Sequence, residues 1–117
     1  MPNKAVYVVT SGDDLYTPYL DAGNSGTTKT ITWTSGETQK VTMTGNCTFT
    51  LSSPIATGLV HRLQLLQDAT GSRTATWPAS VLWSGGTAPT LSGANKTDII
   101  SLLWDGTNYF GQSNANY

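Results

Sequence analysis

The sequence predicts an all-β fold: a single antiparallel β-sandwich of jelly-roll type with an extended N-terminal arm. Three observations carry that reading. Apolar and hydroxyl residues alternate with a period of two in runs such as Lys29-Thr30-Ile31-Thr32-Trp33-Thr34 and Cys47-Thr48-Phe49-Thr50-Leu51, which places one class on each face of a strand. Gly, Pro, Asn and Asp interrupt these runs at short intervals, as turns between short strands do. No segment sustains the 3.6-residue period of an amphipathic helix. A chain of 117 residues makes one domain of ordinary size. We divide it into an N-terminal arm and loop (1–27), a β core (28–112) and a tail (113–117).

Taken in order, Ala5 to Thr10 is a short β-prone run that ends at Ser11-Gly12-Asp13-Asp14. Leu15 to Gly26 has turn residues at both ends and no clean period, and reads as an extended arm or loop. From Thr28, Lys29, Ile31 and Trp33 face one way and the threonines the other. Ser35-Gly36-Glu37 turns the chain, and Gln39, Val41 and Met43 then alternate with Thr38, Lys40, Thr42 and Thr44, which predicts a hairpin. Gly45-Asn46 leads into Cys47, Phe49 and Leu51, a third strand of an antiparallel meander. Leu59 to Gln67 is apolar on both faces, as in an interior strand. With Arg73 to Trp77 it is expected to form a central hairpin broken at Asp68 to Ser72. Ala79 to Gly93 reads as a structured loop pinned by Val81, Trp83 and Leu91. Thr97 to Trp104 is again apolar on both faces, and Asp105-Gly106 closes it into a hairpin with Tyr109 to Gln112. About eight strands result.

Composition narrows the chemistry. Charged residues are 11% of the chain and the net charge is -1, whereas threonine alone numbers twenty. Lys and Arg are scattered without a basic stripe, which argues against nucleic acid as a partner. No run approaches the roughly 18 apolar residues of a membrane span, and the N-terminus lacks a signal-peptide layout, so no membrane partner and a cytosolic origin are expected. Cys47, a lone cysteine in phase with Phe49, reads as a small buried side chain.

No catalytic, cofactor-binding or metal-binding residue is assigned. His61 is the lone imidazole and stands in phase with Leu63 and Leu65, a core or interface position more than a general base. Asp13-Asp14 is a solvated turn, too few oxygens for calcium. Trp33, Trp77 and Trp104 follow the apolar phase of their strands and are expected in the core. Tyr16, Tyr19, Trp83 and Tyr117 fall on loops and termini, where aromatics anchor a protein interface or stack on sugar rings. With Val6 and Val8 of the arm, and with His61 and Arg62, a polar pair in an otherwise buried strand, they make the expected interface set.

The run Gln67-Asp68-Ala69-Thr70-Gly71-Ser72-Arg73-Thr74-Ala75-Thr76-Trp77-Pro78, followed by Val81-Leu82-Trp83, Gly85-Gly86, Ala88-Pro89-Thr90-Leu91, Asp98 and Trp104-Asp105-Gly106-Thr107-Asn108-Tyr109-Phe110-Gly111, resembles a β-rich module of tailed-bacteriophage structural proteins, found in tail fibres and small head proteins. The resemblance covers Leu59 to Gly111. It implies a virion component, commonly a homotrimer, with no catalytic residues. The chain is short for a fibre with shaft and attachment domain, so the expectation is a trimeric capsid decoration or cement protein on the capsid surface. Its partner would be the major capsid protein or another virion protein, contacted through the N-terminal arm. The alternative is a tail-fibre or adsorption module that recognises a host surface glycan.

Overall fold

The structure, a computed structural model, describes residues 18–117. The expected strand at Ala5 to Thr10, the Asp13-Asp14 turn, and Val6, Val8 and Tyr16 of the interface set lie outside the described residues. Nine strands are present among the described residues: β1 (Tyr19–Asn24), β2 (Thr28–Thr32), β3 (Thr38–Met43), β4 (Cys47–Ser52), β5 (Val60–Gln67), β6 (Ala75–Thr76), β7 (Val81–Trp83), β8 (Thr97–Trp104) and β9 (Tyr109–Asn114). Among the described residues the fold is all-β, with helix limited to two 3-10 turns, Trp33–Ser35 and Ser84–Gly86.

Strand pairing departs from the expected antiparallel sandwich. One sheet has six strands in the order β1-β3-β5-β8-β9-β7, and the other has three in the order β2-β4-β6. β1, β3 and β5 run parallel, as do β2, β4 and β6. The chain thus crosses from the large sheet to the small one and back, laying each new turn beside the last. Tyr19 pairs with Thr38 and Thr38 with Arg62, while Thr28 pairs with Thr48 and Thr48 with Thr76. This is a solenoid-like arrangement, in which each turn buries its apolar face against its neighbours.

The expected hairpins at Ser35-Gly36-Glu37 and across Asp68 to Ser72 are therefore corrected to corners between sheets. A two-residue hairpin needs left-handed backbone at its centre, but Gly36 is extended, at φ 174°. The 3-10 turn ahead of it, closed by Gly36 N–H donating to the Trp33 carbonyl at 3.0 Å, sends the chain into the other sheet. Gly36 is needed for space, since a Cβ there would lie 2.8 Å from Leu20 Cβ. The stretch expected as an arm to residue 27 contains β1, the edge strand beside β3.

Two buried glutamines hold these corners. Gln39 Nε2 donates to the carbonyls of Thr32 and Gly36, each at 2.9 Å. Gln67 Nε2 donates to the Arg73 carbonyl at 2.8 Å, and its Oε1 accepts from Arg73 N–H at 3.1 Å. Each supplies the partners that an inward-turned backbone has lost. Asp68 completes the second corner by accepting from Arg73 Nε and Nη2 at 3.2 and 2.9 Å. The Arg73 guanidinium is the largest of the influences that hold the Asp68 carboxyl below its ordinary range.

After β6 the winding ends. β8 joins β5 antiparallel, β9 returns antiparallel to β8, and β7 pairs parallel with β9 at the far edge. The β8–β9 hairpin forms as expected: Gly106 has φ +100°, and the Asp105 carboxylate accepts from the backbone N–H groups of Thr107 and Asn108 at 2.8 and 2.7 Å.

Inward residues of both sheets form one core that includes Ile31, Trp33, Val41, Met43, Cys47, Phe49, Leu63, Leu65, Ile100 and Leu102. Cys47 and Trp33 are buried as expected, while Trp77 and Trp104 are half-buried against the core. Trp77 stacks on Phe49 with ring centroids 5.0 Å apart. The expected threonine face also exists, made by Thr28, Thr48 and Thr76 in one row and Thr30 and Thr50 in the next. It is the outer surface of the small sheet, built by parallel turns in place of a meander.

Candidate functional site

The outer face of the large sheet differs from that threonine face. Register places Val60 of β5 beside Leu103 of β8, Leu103 beside Phe110 of β9, and Phe110 beside Leu82 of β7. Four apolar side chains thus form one row across four adjacent strands. Leu82, Phe110 and Leu103 keep 46%, 46% and 39% of their surface exposed, an unusual cost to leave in water unless something covers them. The next row is polar, with Arg62, Ser101 and Gln112 in register.

Between these rows lies an open groove of about 530 Å³, lined by Val60, Leu82, Leu103 and Phe110 with Ser84, Ser101 and Gln112. A polar hollow of about 360 Å³ shares its Trp83, Ser84 and Gln112 border and extends it along Thr87, Pro89 and Ser113. The floor depends on Gly111. A Cβ at that position would lie 2.6 Å from the Trp83 ring, so glycine lets the indole tuck under β9, where it also meets Trp77 edge to face at 5.3 Å.

Of the sequence-derived interface residues, Tyr19 and Tyr117 are exposed. The Tyr19 hydroxyl donates to Gln64 Oε1 at 3.0 Å. Tyr117 pairs with Thr97 through both backbone groups, at 3.0 and 2.9 Å, which fastens the C-terminal tail to the start of β8. Arg62 is exposed on the outer face beside the groove. Trp83, expected on a loop, ends β7 with its indole half-buried. Leu82, Leu103 and Phe110 belong to the groove but are absent from the sequence-derived set. Their signal is apolar character at outward positions where other strands carry threonine.

His61 lies in the core and not on a surface, with no exposed area. Its Nε2 accepts from Ile55 N–H at 3.1 Å, its ring sits 4.8 Å from Trp33, and Nδ1 has no hydrogen-bond partner. Burial pushes its pKa below the ordinary histidine value, against an opposing pull from the Glu37 charge. The unfolded chain therefore binds the His61 proton more readily, so this group's contribution to stability is full above about pH 6.5 and is lost as pH falls below it. The loss is at most about 1.4 kcal/mol per pH unit. Thermal unfolding of wild type and His61→Gln between pH 7 and 5 checks this, with the variant expected to lack this loss. Equal pH dependence in both would contradict it.

Among the described residues, no group of three or more His, Cys, Asp or Glu side chains comes together, and no helix is long and apolar enough to cross a membrane. The groove offers apolar contact and hydrogen bonding to a ligand. Comparison with known proteins adds a family: the profile described as "Putative phage tail fibre C-terminal domain" matches residues 18–109. That span takes in β1 to β4 as well as the stretch from Leu59 that carries the phage-module resemblance. No curated protein and no solved structure matches the chain. With most of its length inside the match, the chain belongs to the phage tail fibre C-terminal domain family and is a structural module of the bacteriophage virion.

Proposed function

We propose that this domain is the adsorption part of a tail fibre and that its groove binds a glycan on the host surface. The observation that carries the reading is the exposed row Val60–Leu103–Phe110–Leu82 bordered by Ser84, Ser101 and Gln112. Sugar rings present C–H faces ringed by hydroxyls, and a site that suits them pairs apolar or aromatic surface with a few hydrogen-bonding groups. The tail-fibre family favours this reading over a capsid cement on the head surface. The role is binding without catalysis, and the working unit is a homotrimer. A solution mass equal to one 12.4 kDa chain would count against the trimer.

Adsorption competition tests the glycan reading. Purified domain added to host cells is expected to slow attachment of the phage that carries it, and Phe110→Ser to lose at least about ten-fold in potency. A loss of that size corresponds to about 1.4 kcal/mol. Phe110 is half-exposed, so the variant keeps its fold, to be verified by its melting curve. Undiminished competition by folded Phe110→Ser would sink the reading.

A further inference from the structure

The chemistry beside the groove narrows the ligand class. Of the other described cations, Lys29 is turned inward and donates to the Ala22 carbonyl, Arg73 is held by Asp68, Lys40 stands in register with Asp21 across β1 and β3, and Lys96 is exposed just before β8, outside the lining of the groove and of the polar hollow. Arg62 is placed differently. It is exposed on the outer face, with Thr38 and Ser101 as its cross-strand neighbours, and forms no ion pair with a described carboxylate. Glu37 precedes Thr38, and its charge acts on buried His61. No carboxylate lines the groove.

Arg62 follows Val60 by two positions, so its Cα stands one row along from the apolar stripe, about 7 Å away on the same face. From Phe110 it is two strands across and one row along, about 12 Å. That separation suits a ligand longer than one sugar ring. On such a ligand one ring would lie against Leu103 and Phe110, and the next would bring its substituent to the guanidinium.

Resting on the adsorption reading, we propose that the groove selects acidic glycans, with Arg62 receiving the carboxylate or phosphate of the sugar unit next to the one packed on Phe110. A planar guanidinium pairs with either anion through two parallel hydrogen bonds. Ser101 and Gln112, in register beside it, supply neutral hydrogen bonds to flanking hydroxyls. The anion adds selectivity at one end of the site, while the apolar row supplies binding common to charged and neutral sugars.

The test is an array of bacterial surface glycans in which each carboxylated glycan is printed beside its carboxyl-reduced form and each phosphorylated glycan beside its dephosphorylated form. It is probed with the full chain, Arg62→Gln and Phe110→Ser. Wild type is expected to favour the acidic members by about ten-fold, Arg62→Gln to bind both members equally at the neutral level, and Phe110→Ser to lose both. Which pairs respond separates carboxylate from phosphate. Equal binding of acidic and neutral members by wild type, or an acidic preference that survives in Arg62→Gln, overturns the role of Arg62 and leaves the glycan reading standing. Absence of binding to any glycan, or binding that Phe110→Ser does not weaken, overturns the glycan reading together with the acidic one.

Discussion

Trp33→Ala is expected to lower the unfolding free energy by about 4 kcal/mol and the thermal midpoint by roughly 15 °C. Trp33 has no exposed surface and sits at the corner where β2 passes to β3. Its ring leans on His61 at 4.8 Å, and its Nε1 donates to the Tyr109 hydroxyl at 3.0 Å across seventy-six residues of sequence. It therefore joins the first turns of the winding to the closing hairpin. Alanine would leave a cavity between two sheets whose backbones are fixed by pairing, so collapse around it is limited. Trp33→Phe separates the two contributions: it keeps most of the volume, loses the bond to Tyr109, and should cost about 1 to 2 kcal/mol. Denaturant unfolding of both variants checks the order. Equal losses would show that packing at this corner matters less than the hydrogen bond.

Asp98→Asn is expected to cost about 3 kcal/mol, despite nearly equal size. Asp98 is 1% exposed, and its carboxylate accepts three bonds: Ser92 N–H and Ser92 O–H at 2.6 Å each, and Asn116 N–H at 3.0 Å. These tie the long β7–β8 loop and the C-terminal tail to the start of β8. An amide turns one acceptor into a donor and sets it against a donor, leaving buried groups unpaired. Ser92→Ala removes only the hydroxyl bond and should cost about 1 kcal/mol. If urea midpoints put the two variants level, the carboxylate is not the anchor of these segments.

The sequence shows which way side chains face but not which strands pair. Alternation in Thr28 to Thr34, Thr38 to Thr44 and Cys47 to Leu51 correctly separates inward from outward residues, because a period of two belongs to any half-buried strand. It is blind to the partner. An antiparallel neighbour and the next turn of a solenoid ask for the same alternation, and the turns here carry corners of unequal length, so no fixed repeat betrays the winding. Only the β8–β9 hairpin has decisive local chemistry, in Asp105-Gly106. The groove was hidden by a related ambiguity. Leu103 beside Leu102 reads as part of a strand covered on both faces, whereas Leu103 is left open, and Phe110 beside buried Tyr109 is open in the same way. His61 and Arg62, adjacent in sequence, separate into core and surface by the same two-residue period.

The most direct test of the account is to locate the glycan contact on the folded chain. With Val, Leu and Thr methyl groups labelled, the domain is titrated with fragments of the host's surface polysaccharide and methyl shifts are followed by nuclear magnetic resonance. Shifts are expected to concentrate at Val60, Leu82 and Leu103, with the inward Leu63 and Leu65 little changed. Shifts centred instead on Thr28, Thr30, Thr48 and Thr50 of the small sheet, or none at saturating polysaccharide, would contradict it.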